Sequence, residues 1–191
     1  MSKKILVVVD VQKDFYHPDG ALYVKGGEAL PERIAKVIPE FDNVIFTLDW
    51  HPANHCSFAD NGGIWPVHCV AYTEGASLPK EFIPFLGFDG NPVGRNYSNI
   101  VTKGSWAPAE EYGANPNKIM CSHGENPEEC EFVFCGIHAL YCVKETIKNF
   151  IEKFPQVKVS VLTDCIAPLD CDEFNTFCIE NSITQKSIED F

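Results

Sequence analysis

No run of about 18 apolar residues occurs anywhere in this 191-residue chain, which argues against a membrane-spanning helix. Positive charge is scarce too: 15 Lys and Arg stand against 27 Asp and Glu, a formal charge of -12. Such a surface repels phosphate backbones and anionic bilayers, so neither nucleic acid nor membrane is expected as a partner. The G-x-G-x-x-G and P-loop patterns are missing, as are internal repeats and low-complexity tracts, and a dinucleotide-binding fold therefore has no support. The opening MSKKILVVVDV has a basic pair and an apolar run, but Asp10 breaks the run and no small-residue cleavage site follows. It reads as a strand rather than a signal. Nine cysteines are an odd number in a chain of this length with no visible signal, so reduced thiols in a cytoplasm are the expected state.

What is present suits one globular domain over residues 1–191, with 45% hydrophobic and 22% charged residues. Residues 5–9 and 44–48 are continuous aliphatic or β-branched runs that end in Asp10 and Asp49. Runs of this kind are strands buried on both faces. Residues 131–135, closed by Gly136, and 157–162 predict two more strands, with brief ones over 98–102 and 183–187. Helical spacing appears over 28–41, with Pro31 early, over 141–154 and over 172–179. A short helix or turn is expected over 79–88. Alternation of strands and helices predicts a mostly parallel sheet covered on both faces, with Asp10, Asp49 and Lys103 on its carboxyl rim.

The stretch DWHPANHCSFADNGGIWPVHCV, residues 49–70, holds three of the six histidines. Asp49, His51, His55 and His68 offer one carboxylate and three imidazoles, a set suited to zinc, iron or manganese. Cys56 and Cys69 are competing donors. Asp49 and His51 are two positions apart, so an extended strand end points both to one side. The bland alternative is a polar loop whose histidines cap backbone groups. Cys142 opens the amphipathic segment after Gly136, and a helix amino terminus favours a thiolate and can bind an oxyanion. Its alternative is a buried structural cysteine. Cys121, His123, Cys130 and Cys135 form a weaker candidate cluster, whose spacing matches no common zinc pattern. His17 and Pro18 are expected in a loop over the pocket.

DVQKDF (10–15), TLDWHPANHCSF (47–58), WPVHCV (65–70) and YCVKET (141–146) together resemble the nicotinamidase branch of the isochorismatase-like cysteine hydrolases. That resemblance implies a Rossmann-like, three-layer α/β/α fold and a catalytic triad of Asp10, Lys103 and Cys142. Lys103 is assigned by chain order, since it lies between the metal loop and the nucleophile. The resemblance further implies Asp49, His51 and His68 as metal ligands, with His55 a ligand in some members only. Phe15, Trp65 and Tyr141 would flank a pyridine ring; core packing is the other role open to such aromatics. Backbone N–H groups of His138 and Cys142 would form the oxyanion hole, beside a cis peptide between Ile137 and His138. Ala139 and Leu140 replace a threonine and an aspartate that many relatives carry, and residues 91–117 show little likeness.

The implied activity is deamidation of nicotinamide to nicotinate and ammonia through a thioester, with one divalent metal, zinc before iron or manganese. A role in NAD salvage follows if nicotinamide is the substrate. Two rivals stand beside it: a cysteine amidase acting on a ureido or non-pyridine amide, and a metal-binding domain without turnover. Assembly into a homo-oligomer is left open.

Overall fold

The computed structural model describes residues 2–86, 99–121 and 129–191. Six parallel strands form one sheet in the order β3-β2-β1-β4-β5-β6. Strand β1 (Lys3–Val9) pairs with β2 (Asn43–Asp49) on one side and with β4 (Cys130–Ile137) on the other. The edges are β3 (Ile100–Lys103), beside β2, and β6 (Thr184–Lys186), beside β5 (Lys158–Ala167). Ile5 to Val9 are wholly buried, as their unbroken apolar run requires.

The chain leaves β1 toward β2 and leaves β4 toward β5, in opposite directions across the sheet. Right-handed crossovers then place α2 (Leu30–Val37) and α4 (Lys144–Lys153) on opposite faces, giving three layers. The switch in direction falls between β1 and β4, and in open α/β sheets the carboxyl end of such a crevice is where ligands bind. Among the described residues the remaining α-helices are the single turn α1 (Lys13–Tyr16), α3 (Pro116–Cys121) and α5 (Asp172–Glu180).

Several boundaries differ from the sequence reading for identifiable reasons. The segment read as one helix over 28–41 is a 3-10 turn (Gly27–Ala29), then α2, then a second 3-10 turn (Ile38–Glu40). Pro39 has no N–H to continue the ladder. Strand β4 does not stop at Gly136 but pairs it with Val9 and Ile166. At φ +121°, a Cβ on Gly136 would lie 2.0 Å from the Val9 carbonyl oxygen. The glycine therefore permits a close approach of β1 rather than ending the strand. The helix read from Tyr141 begins instead with a π-helical turn (Ala139–Val143). The segment read as a helix or turn over 79–88 is a 3-10 helix (Lys80–Phe85), residues 87 and 88 lying outside the described residues. So does His123 of the second cysteine cluster. Among the described residues no helix is long and apolar enough to cross a membrane.

One buried charge lies away from the rim. Glu131, its side chain only 4% exposed, accepts from the Ser160 hydroxyl at 2.7 Å and faces Lys186 and Lys158. Burial works against its charge, yet the Lys186 and Ser160 hydrogen bonds and the lysine charges hold its pKa below the usual glutamate range. A depressed carboxylate stabilises the fold above its unfolded pKa, and that contribution is lost as pH falls through the folded value. Glu131→Gln is expected to cost about 2 kcal/mol at neutral pH. Denaturation curves of the two proteins should converge in acid; a difference that stays constant with pH would contradict the assignment.

Candidate active site

The D-x-Q-K-D-F motif is a set of attachments as well as a source of chemistry. Asp10 follows β1 in the left-handed region at φ +49° and is fully buried. Its N–H donates to the Thr47 carbonyl at 3.1 Å, and its Oδ1 accepts from the Thr47 hydroxyl at 2.6 Å. Gln12 clamps Asp49 by both backbone groups: its Oε1 accepts from Asp49 N–H, and its Nε2 donates to Asp49 C=O, each at 2.8 Å. Asp14 Oδ2 accepts from Cys69 N–H at 2.7 Å, which ties down the residue after His68. Phe15 packs on His68 with ring centres 5.5 Å apart.

Lys103 ends β3 in register with Asp49 and is 1% exposed. Its ammonium pairs with Asp10 Oδ2 at 2.8 Å, contacts the Cys142 sulfur at 3.5 Å and the Glu111 carbonyl at 3.4 Å, and hydrogen-bonds Asp49 Oδ1. Burial opposes this charge, but Asp10, Asp49 and Cys142 hold the lysine pKa well above its usual range. Burial and the Asp49 charge raise Asp10 in spite of Lys103. Burial also pushes the Cys142 thiol well up, outweighing Lys103. The resting group is thus a thiol, and not the thiolate that a helix amino terminus alone would favour.

The second cluster lies on the other side of Asp49. Oδ2 is 3.5 Å from His51 Nε2 and 3.9 Å from His68 Nε2. His51 Nδ1 faces the Gly104 carbonyl at 2.9 Å, and His68 Nδ1 faces the Pro66 carbonyl at 2.7 Å. A carbonyl can only accept, so both rings carry the proton on Nδ1 and present Nε2 to Asp49. One oxygen and two nitrogens, with ligand atoms all within 4.8 Å of one another, fit a small divalent cation. Burial works against protonation of His51, but Asp49 raises its pKa, whereas burial lowers that of His68. Asp10, Asp49 and Cys142 lie equally close together, and the cation they surround is the Lys103 ammonium.

His55 is not brought into this group. Its Nδ1 meets the Ser57 hydroxyl at 2.7 Å and its Nε2 the Ala109 carbonyl at 3.0 Å, so both nitrogens are engaged elsewhere. Gly104 shows how closely the ligand ring is fitted. At φ +63°, a Cβ on this residue would lie 2.5 Å from His51 Cε1. Gly104→Ala is expected to displace His51 and weaken any divalent-metal binding by this group at least about tenfold, as read by chelator competition. Unchanged affinity would show that the ring position is not critical.

A cavity of about 460 Å3 opens onto both clusters, bringing Cys142, Asp49, His68, Phe15, Trp65 and Tyr141 to one surface. Trp65 and Tyr141 meet edge-on at 5.3 Å, and His138 packs against Tyr141 at 5.0 Å. The peptide bond between Ile137 and His138 is cis. Several cavity residues were not read from the sequence, among them residues 22–25 and Pro168. Tyr112, whose hydroxyl accepts from Trp65 Nε1–H at 3.0 Å, and Glu110 both belong to a segment with no periodic pattern. An aromatic residue shortly after Lys103 was the available signal.

The Cys142 thiol thus lies beside a buried ion pair and lines an aromatic-walled cavity, where it could react as well as pack. The doubly wound parallel sheet beneath it carries the group at its carboxyl rim, where open α/β folds bind their ligands. No family model matches the chain. The nicotinamidase of Saccharomyces cerevisiae is 31% identical over 203 aligned residues, covering 88% of this chain and 90% of its own length. Among solved structures, PnC1 from L. infantum in complex with nicotinate superposes with a TM-score of 0.78 at 29% identity, covering 98% of this chain and 94% of its own. The pyrazinamidase of Pyrococcus horikoshii in complex with zinc gives 0.73 at 27% identity, with 97% and 99% covered. The chain belongs to the nicotinamidase family and is an amidohydrolase.

Proposed function

We propose that this protein, acting as a single domain, deamidates nicotinamide to nicotinate and ammonia, with Cys142 as nucleophile, Asp10 as proton carrier and Lys103 as their electrostatic partner. What carries the reading is the shared cavity, which Cys142, Asp49 and His68 line together. The named relatives act in its favour: nicotinamidase in yeast, a nicotinate complex in L. infantum, a zinc complex in Pyrococcus horikoshii.

A divalent ion, zinc before iron or manganese, would be held by Asp49, His51 and His68; when bound it supplies a Lewis-acid anchor for the pyridine nitrogen. Phe15, Trp65 and Tyr141 flank the ring, and Tyr112 fixes the indole of Trp65. Asp10 removes the thiol proton as the Cys142 sulfur attacks the carboxamide carbon. The developing oxyanion is met by the backbone N–H groups of His138 and Cys142. Asp10 returns its proton to the leaving nitrogen, so ammonia departs and a thioester remains. Water, deprotonated by Asp10, then attacks the thioester; nicotinate leaves and the proton returns to the thiol. Lys103 keeps Asp10 oriented and balances two buried carboxylates throughout. Nicotinate production places the protein in NAD salvage, and the proposed compartment is the cytoplasm.

Ammonia release from zinc-loaded protein tests the reading. Turnover of nicotinamide and pyrazinamide well above that of a carbamoyl amide is expected; inactivity on both pyridine-type amides would reject it in favour of a ureido or other amide.

A further inference from the structure

Glu111 does not line the cavity, and the proposed chemistry gives it no proton to move. Its Oε2 accepts a hydrogen bond from Gly104 N–H at 2.8 Å, and the Gly104 carbonyl accepts from His51 Nδ1–H at 2.9 Å. These two groups belong to successive peptide units on either side of one α-carbon. Anchoring the first peptide unit restrains the chain at the residue, found at φ +63°, whose carbonyl meets His51. Glycine must occupy this position because any Cβ would strike the His51 ring. Yet glycine has little conformational preference of its own, so the left-handed geometry needs an outside constraint.

We propose that Glu111 is a positioning residue of the metal site. Its carboxylate fixes Gly104 so that His51 stays in the Nδ1–H tautomer, with Nε2 presented beside Asp49. The inference rests on reading Asp49, His51 and His68 as the ligand set. Partners one shell out from a ligating histidine set its tautomer and direction, and losing one typically weakens metal binding by about 10 to 100-fold. Here that shell is a mobile residue type, and the restraint is carried one step further out, to a side chain. The same residue offers its own carbonyl to the Lys103 ammonium at 3.4 Å, so it lies where the metal cluster and the thiol cluster meet. A carboxylate that only closed the loop between residues 104 and 111 would change stability and leave the His51 tautomer alone.

The test uses metal-free full-length protein, zinc as the probe, and the variants Glu111→Ala and Glu111→Gln. The glutamine oxygen still accepts from Gly104 N–H. Chelator competition should show zinc affinity weakened about tenfold or more in Glu111→Ala and within about threefold of wild type in Glu111→Gln. In 15N spectra, His51 should remain the Nδ1–H tautomer in wild type and Glu111→Gln and become a mixture in Glu111→Ala. If the alanine variant does not fold, Glu111→Met, which keeps the aliphatic stem without the acceptor, is read in the same way. Wild-type affinity and tautomer in the alanine or methionine variant would overturn the inference, as would a glutamine variant as weak as alanine. A wild-type chain that does not bind zinc would overturn the ligand set itself, a distinguishable result.

Discussion

Cys142→Ala should lower kcat for nicotinamide by about 10,000-fold or more, because removing the attacking atom removes the covalent route rather than one contact in it. Bound metal should not change, since the proposed ligands are Asp49, His51 and His68, and the sulfur lies on the Lys103 side of Asp49. The variant therefore separates two mechanisms. If metal-activated water were the nucleophile, loss of the thiol would leave substantial amide hydrolysis. Steady-state ammonia release, paired with metal analysis of the same sample, reads both quantities. Surviving turnover within about tenfold of wild type would remove the thioester from the account.

Lys103→Met is expected to have the second large effect, and on stability as well as rate. The ammonium is fully buried between Asp10 and Asp49, and it is the positive group in contact with both. A methionine of similar length leaves two carboxylates without their shared partner. Breaking a buried ion pair from one side costs about 3–5 kcal/mol, and chemical denaturation of the metal-free protein should show a loss of that size. Activity should fall about 1,000-fold with metal bound, as Asp10 loses the group that orients it and sets its protonation. A variant as stable as wild type would show that Asp10 and Asp49 do not depend on Lys103 as their shared partner.

The parts legible in the sequence were those written in local pattern. Strands β1 and β2 are unbroken apolar runs ending in aspartate, and both aspartates emerge on the same rim. Lys103 could be placed by order alone, because a parallel strand beside β2 delivers its last residue next to Asp49. Asp49, His51 and His68 converge as their donor chemistry suggests.

What escaped depends on tertiary contact. His55 looks like a fourth ligand in sequence, but Ser57 and Ala109 take both its nitrogens, and Ala109 arrives from a loop far along the chain. Glu111 and Tyr112 sit in a stretch without helical or strand period, where nothing local shows that one will reach Gly104 and the other Trp65. Gly136 looks like a strand stop because glycine usually punctuates; only the packing of Val9 against it reveals a close approach. The thiol ionisation is likewise invisible in sequence, since helix position favours the anion while the burial that outweighs it is a property of the folded chain.

In the proposed reaction the amide is broken by covalent transfer to Cys142. Its most direct measurement is rapid acid quenching of zinc-loaded protein mixed with nicotinamide, followed by mass analysis of the peptide carrying Cys142 at times within the first turnover. A nicotinoyl group joined to the Cys142 sulfur is expected, appearing in step with ammonia and decaying as nicotinate is released. Ammonia released in that first turnover while Cys142 remains a free thiol throughout would contradict it.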